Sequence, residues 1–236
     1  MKVYVVPSEF CDAACEVCIS RLREPHGRFM DAGRLEGVLV NVGEIERIEI
    51  TGGGEPTLNP QIGEIIRVCA SKQEDVKTYT HGAHLKGVEN LGLLKELCVS
   101  VAHYDPVENE RLIGVVTDLD FLGNWRGRKK FSLLLQKGGI YNAEGLREYL
   151  NWAKSLASKV VVRQLFEECL DKFSDRFVSC REVYEEFGLR GEVSESGMNV
   201  KFGDLDVEFE YRACGCDFKG IVLRPDCKVR YGWDGP

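Results

Sequence analysis

Apolar and β-branched residues bunch into short runs at 3–7 (VYVVP), 45–51 (IERIEIT), 76–80 (VKTYT), 97–102 (LCVSVA), 131–136 (FSLLLQ) and 159–166 (KVVVRQLF), each of strand length. Between them the apolar positions recur with helical spacing. In 60–72, Ile62, Ile65, Ile66 and Cys69 share one face and Pro60 stands near the first turn. In 142–157, Leu146, Tyr149, Leu150, Ala153 and Leu156 form a stripe behind an Asn142 cap. Strands alternating with helices predict parallel strands joined by right-handed crossovers. About six such units are fewer than the eight of a closed barrel, so the pattern predicts an α/β fold built on an open or partial barrel.

After Phe166 the pattern changes. Residues 166–188 read as helical, 199–212 alternate like a hairpin around 203–206, and 220–233 read as a second hairpin turning at Pro225 and Asp226. The expected organisation is a barrel core over 1–166 and a small C-terminal α+β extension over 167–236 packed against it.

Composition narrows the class. A chain of 236 residues that is 44% hydrophobic can bury a full core. Its longest apolar runs fall short of the roughly 20 residues of a membrane span, and its start lacks a signal-peptide layout, so a cytoplasmic protein with no membrane partner is expected. A formal net charge of −7 argues against nucleic-acid binding, and the basic RGRKK at 126–130 reads as a solvated loop. Ten cysteines in such a chain point to a metal or redox site with reduced thiols rather than to disulfides.

Three of those cysteines, Cys11, Cys15 and Cys18, lie in CDAACEVC just after the first strand. A structural zinc site takes four tetrahedral ligands. Three thiolates on a four-iron four-sulfur (4Fe-4S) cubane instead leave one iron open to a substrate or cofactor, and the small Ala13 and Ala14 let a short loop wrap closely. Zinc completed by a distant Cys or His stays open as an alternative. A second motif, ITGGGEPTLNP at 50–60, follows the second strand, whose carboxyl end should face the site. Its glycines expose backbone polar groups beside the carboxylate of Glu55, a loop able to hold an ammonium group; taken alone it is a tight turn before the helix near Pro60.

With Cys11, Cys15 and Cys18 as CxxxCxxC and Gly53, Gly54 and Glu55 as GGE, the sequence resembles the radical S-adenosylmethionine (radical SAM) superfamily. The resemblance implies a partial (βα)6 barrel in which the three cysteines hold a 4Fe-4S cluster. It also implies that the open iron chelates the amino and carboxylate groups of S-adenosylmethionine and that the glycine-rich loop binds its methionine ammonium. One electron, from a low-potential donor such as a ferredoxin or flavodoxin, then cleaves a carbon–sulfur bond. The resulting 5′-deoxyadenosyl radical abstracts hydrogen from a small-molecule or nucleotide substrate.

The barrel looks most like the molybdenum-cofactor GTP cyclase branch, by Thr80-His81-Gly82 where Thr-Asn-Gly is typical, by Ser100, Asp105 and Pro106, and by Ser132 and Arg163 on the fifth and sixth strands. That similarity implies that Thr80 and Ser100 face the cofactor's methionine or ribose and that Arg163 clamps its carboxylate. An ion pair with Glu167 is the structural alternative for Arg163. The chain departs from the branch at Ala102, where an Asp is usual, at Val17, where an aromatic is usual, and at His81. It is also shorter and ends in GWDGP, so the branch's substrate is not carried over.

Cys214, Cys216 and Cys227 form a candidate auxiliary iron–sulfur site, with Cys169 or Cys180 as a fourth ligand, or else are small buried hydrophobes. Cys69 and Cys98 sit in apolar patterns and read as core. His81, His84 and His103 fall near strand ends as acid–base candidates, with hydrogen-bonded structural roles as the plainer reading; His26 reads as a turn residue. Two other functions fit the same motifs: an activase that installs a glycyl radical on a partner protein, and a zinc-binding interaction module without chemistry.

Overall fold

The computed structural model describes residues 1–18, 27–165, 167–188, 191–193, 197–210 and 220–231. The six apolar runs become strands β1 (Lys2–Val5), β2 (Arg47–Ile50), β3 (Val76–Thr80), β4 (Glu96–Ser100), β5 (Lys129–Leu134) and β6 (Lys159–Arg163). The two helical stripes become α2 (Ile62–Lys72) and α5 (Ala143–Ala153), the second capped by Asn142, whose side chain accepts from the Gly145 N–H. Three further helices, α1 (Ala32–Leu39), α3 (Pro106–Ile113) and α4 (Leu119–Asn124), are too short to display a clear stripe. Each starts at an aspartate, Asp31, Asp105 or Asp118, that caps a free N–H of its first turn.

The helical run expected over 166–188 is broken. α6 (Glu167–Phe173) gives way to a 3-10 turn at Ser174–Arg176, and α7 (Cys180–Phe187) restarts behind Ser179, which caps the Glu182 N–H. The remaining strands are β7 (Glu192–Val193), β8 (Gly197–Phe202), β9 (Leu205–Glu210), β10 (Gly220–Leu223) and β11 (Val229–Arg230). β8 and β9 form the expected hairpin, with Gly203 at φ +61° in its turn, a conformation glycine adopts without penalty. β10 and β11 form the second.

All of these strands belong to one sheet of order β11-β10-β1-β2-β3-β4-β5-β6-β9-β8-β7. From β10 through β1 to β6 and on to β9 every pair is parallel; at the rims the pairs β10–β11, β9–β8 and β8–β7 are antiparallel. The C-terminal residues thus lengthen the sheet at both edges, β10 beside β1 and β9 beside β6. Among the described residues the two rims do not pair, and the sheet stays open.

One face of the sheet is apolar. Val3, Ile48, Val76, Val99, Phe131 and Val160 are fully buried in a core shared with Leu35, Ile65 and Tyr149 from the helices. By the two-residue alternation of strands, the other face carries Tyr4, Glu49, Lys77, Glu96, Lys130 and Arg163. All but Tyr4 are charges in partly dry surroundings, and they compensate one another. Lys77 Nζ lies 3.1 Å and Lys130 Nζ 3.8 Å from the buried Glu96 carboxylate. Burial alone would raise the Glu96 carboxyl, but Lys77, Lys130 and Arg128 hold it below its ordinary value. Among the described residues no helix is long and apolar enough to cross a membrane.

Candidate functional site

The site is built where β1, β2 and β3 end. Beyond β1 the chain passes Pro7 and turns into the cysteine loop. Its base is closed by the returning segment: Ser8 pairs with Phe29, the Glu9 N–H donates to Arg28 O (3.0 Å) and the Met30 N–H to Pro7 O (2.8 Å). Buried Asn59 pins this junction from beneath, donating from Nδ2 to both Pro7 O and Met30 O. On the other flank the loop is seated on the end of α3. The Ala14 N–H donates to Ile113 O (2.8 Å), and Cys15 Sγ lies 3.4 Å from the same oxygen. The seat requires a glycine, because Gly114 has φ +84° and a Cβ there would stand 2.5 Å from Ala14 Cβ.

The glycine-rich loop packs directly on the cysteine loop. The Glu55 N–H donates to Phe10 O (2.7 Å), and a Cβ on Gly54 would lie 2.1 Å from that oxygen. Gly53, in contrast, has open space around it. A bare backbone segment set against the cysteine loop is the surface that a polar group of a cofactor needs in order to approach.

Glu55 itself points inward. Its carboxylate is buried, and Oε1 accepts from the Thr57 hydroxyl (2.5 Å), the Thr80 hydroxyl (2.6 Å) and the Thr57 N–H (3.1 Å). Oε2 accepts from the His81 N–H (2.9 Å). Thr80 is spent in the same network, since its oxygen also accepts from the Gly82 N–H (2.9 Å). The side chains of Glu55 and Thr80 therefore brace the loops, and what the glycine-rich loop presents outward is backbone.

Between the two loops lies a carboxylate–imidazole cluster. Asp12 Oδ1 is 2.9 Å from His81 Nε2 and Asp12 Oδ2 is 2.6 Å from His84 Nε2. Burial alone would raise the Asp12 carboxyl, but hydrogen bonds from His84 and His81 hold it below the ordinary carboxylate value. Cys11 is pushed the other way. Burial raises its thiol, and the negative charges of Glu55, Cys18 and Asp12 add to that against one favourable bond from the Ala13 N–H. A thiol raised in this way becomes a thiolate when a positive metal group neutralises it. The donor set, three soft sulfurs on one short loop, fits an iron–sulfur cluster.

Ser100 is exposed at the end of β4 and stands in register with Ser132 of β5. Arg163, at the end of β6, donates to Ser132 Oγ (3.2 Å) and grips Glu210 of β9 with Nε (2.6 Å) and Nη2 (3.3 Å). Its ion-pair partner is thus Glu210; the Glu167 side chain lies outside the described residues. Ser100 and Arg163 stand along the row from the cysteine loop, on β4 and β6. His103 lines a cleft of about 320 Å³ with Tyr104, Asn142 and Glu148, and its Nδ1 accepts from the Asp105 N–H.

Cys214, Cys216 and His26, and the Cys169 side chain, lie outside the described residues. Cys227 is buried at φ +57° after β10, while Cys180 is buried against β6 with its thiol directed at Val162 O. These two follow β10 and β6, with β1 to β5 standing between those strands. Cys69 and Cys98 are buried, as their apolar patterns indicate.

Three residues of the site carry no signal in the sequence as a site. Asp12 hides inside the cysteine motif. Asn109 and Thr117 join the ends of β3 and β4: the Thr117 hydroxyl donates to His81 O, Asn109 Nδ2 to Thr117 Oγ1, and Asn109 Oδ1 accepts from the Ala102 N–H.

No protein-family model and no curated protein sequence matches the chain. Solved structures do. SuiB of Streptococcus suis bound to S-adenosylmethionine aligns at a TM-score of 0.73 and 15% identity over 98% of this chain and 60% of its own. anSMEcpe with bound AdoMet and a Kp18Cys peptide aligns at 0.58 and 12% identity over 98% of this chain and 74% of its own. A radical SAM methyltransferase from Sphaerobacter thermophilus aligns at 0.50 and 16% identity over 72% of this chain and 61% of its own. This chain thus spans about 60% of the length of the SuiB structure. At these identities the likeness is one of architecture, and in architecture the chain has the radical SAM partial-barrel fold.

Proposed function

We propose that the protein is a radical SAM enzyme: Cys11, Cys15 and Cys18 hold a 4Fe-4S cluster, and the backbone at Gly53 and Gly54 receives the amino group of S-adenosylmethionine. The observation that carries this reading is the packing of Gly54 against Phe10 O, which seats the glycine-rich loop on the cysteine loop next to Cys11 and leaves the Gly53 backbone open. When bound, the cluster and S-adenosylmethionine supply one-electron cleavage of a carbon–sulfur bond and a radical able to abstract hydrogen.

The chain's own residues do the rest. Glu55 and Thr80 fix the height of the glycine-rich loop, and Asn59 and Ile113 fix the two flanks of the cysteine loop. Ser100 and Arg163 at the ends of β4 and β6 are proposed to meet the distal parts of S-adenosylmethionine. Arg163 is pre-oriented for this by Glu210 and Ser132. A face lined with Glu49, Lys77, Glu96, Lys130 and Arg163 suits a polar substrate, a small molecule or a nucleotide, and electrons come from a low-potential donor such as a ferredoxin or flavodoxin. SuiB and anSMEcpe were each solved with a peptide, so peptides are the second substrate class to assay. The GTP cyclase likeness rests on the sequence residues alone, and no substrate is taken from it. The auxiliary cluster keeps Cys227 with Cys214 and Cys216 as candidate ligands.

One observation favours zinc instead: Cys11 Sγ, an Asp12 oxygen and a His81 nitrogen lie within 4.8 Å of one another. The deciding experiment is 5′-deoxyadenosine release from S-adenosylmethionine by the anaerobically reconstituted, chemically reduced protein beside Cys15→Ala. Release that vanishes in the variant is expected. A colourless protein that retains zinc and releases nothing would transfer the site to the zinc reading. Iron content separates one cluster, about four irons per chain, from two.

A further inference from the structure

We infer that His81 is a positioning residue that latches the cysteine loop to the glycine-rich loop through Asp12, and so sets the surroundings of the metal group that Cys11 helps to hold. The second half of this inference rests on the proposed function; the latch itself does not.

The ring is buried, and its hydrogen bonds define it. Nδ1 accepts from the Ala83 N–H (3.2 Å), which leaves the proton on Nε2. That N–H faces Asp12 Oδ1 at 2.9 Å, with Glu55 Oε2 at 3.4 Å. The backbone of the same residue donates to Glu55 Oε2 (2.9 Å) and accepts from the Thr117 hydroxyl (3.0 Å). One residue at the end of β3 thereby touches the loop after β1, the loop after β2 and, through Thr117 and Asn109, the end of β4. Asp12 adjoins Cys11 in sequence, so a displaced Asp12 carries Cys11 with it. The typical Asn at this position in the resembled branch is one bond too short to offer its N–H where Nε2 lies, whereas Gln places an N–H the same four bonds from Cα.

The test compares His81→Ala, His81→Asn, His81→Gln and Asp12→Asn in the full chain. In the metal-free protein, hydrogen exchange of the amides of residues 9–16 and of Glu55 should quicken about tenfold or more in the Ala, Asn and Asp12→Asn variants, with the amides of β5 and β6 unchanged. In the reconstituted protein the same variants should shift the cluster's reduction potential and its reduced-state EPR spectrum. His81→Gln should recover both readouts. Asp12 is exposed, so Asp12→Asn reports the loss of both imidazole contacts even if His81→Ala fails to fold. His84→Ala with wild-type exchange assigns the effect to His81, whereas His84→Ala as fast as Asp12→Asn would overturn the inference. Wild-type exchange rates in His81→Ala and Asp12→Asn would overturn the inference, as would a Gln variant no better than Ala. If the wild-type chain takes up no cluster, the proposed function falls, while the exchange measurement still decides the latch.

Discussion

Replacing Glu55 with Gln separates two roles that a carboxylate in this loop can play. If Glu55 were a ligand for the cofactor's ammonium, the change would weaken S-adenosylmethionine binding and leave folding alone. The geometry assigns it to the framework instead. Its two oxygens accept four hydrogen bonds at 2.5–3.1 Å, all from groups of the protein. A Gln amide must turn its NH2 toward one side, so at least one buried donor, the His81 N–H or the Thr57 and Thr80 group, meets another donor. Leaving a buried donor unsatisfied costs about 1–3 kcal/mol. The surviving bonds also lose their charge assistance, which makes them roughly half as strong. The sum is about 2–4 kcal/mol. For a chain of this length each kcal/mol moves the midpoint by about 2–4 °C, so Tm should fall by about 5–15 °C. The assay is anaerobic urea unfolding of the metal-free protein at constant m, with thermal melting beside it. A Gln variant within about 0.5 kcal/mol of wild type that has lost affinity for S-adenosylmethionine would refute the reasoning and return Glu55 to the cofactor. Thr80→Val should couple to Glu55→Gln in a double-mutant cycle by about 0.5–3 kcal/mol, since the two share a 2.6 Å bond.

Gly114→Ala should unseat the cysteine loop, because φ +84° costs an alanine about 1–2 kcal/mol and its Cβ would overlap the Ala14 backbone; lower iron uptake at matched reconstitution checks this. Asp226 is held at about 2 by its hydrogen bond to Arg230, below its ordinary 3.8. A depressed carboxyl stabilises the fold above its unfolded value, so about 2 kcal/mol should be lost as pH falls from about 4 through 2; acid titration of Asp226→Asn should lack that step. Burial pushes Cys69 up to about 12 and Cys98 up to about 11. Iodoacetamide should therefore leave Cys69 and Cys98 unmodified until urea unfolds the chain, while Cys11, whose thiol is also raised but is exposed to solvent, is labelled first, as peptide mass mapping would show.

The parts of this protein legible in its sequence are those whose signal is local. β3 over 76–80 and α2 through 72 were readable because alternation and the helical stripe each repeat within one segment. The cysteine and glycine motifs were readable because their spacing is itself the chemistry. α1, α3 and α4 escaped because six to eight residues hold barely two turns, and their boundaries are set by capping aspartates and by the sheet beneath them. Tertiary structure alone decided the partners. That β9 and β10 would flank β6 and β1 depends on which sheet edge is open, a property of no single segment. It follows that Arg163 meets Glu210, 47 residues away, and that Asp12 meets His81, 69 away. The turn inward of Glu55 has the same origin: a carboxylate goes where donors have already converged, and only the folded ends of β2 and β3 bring Thr57, Thr80 and the His81 N–H to one point.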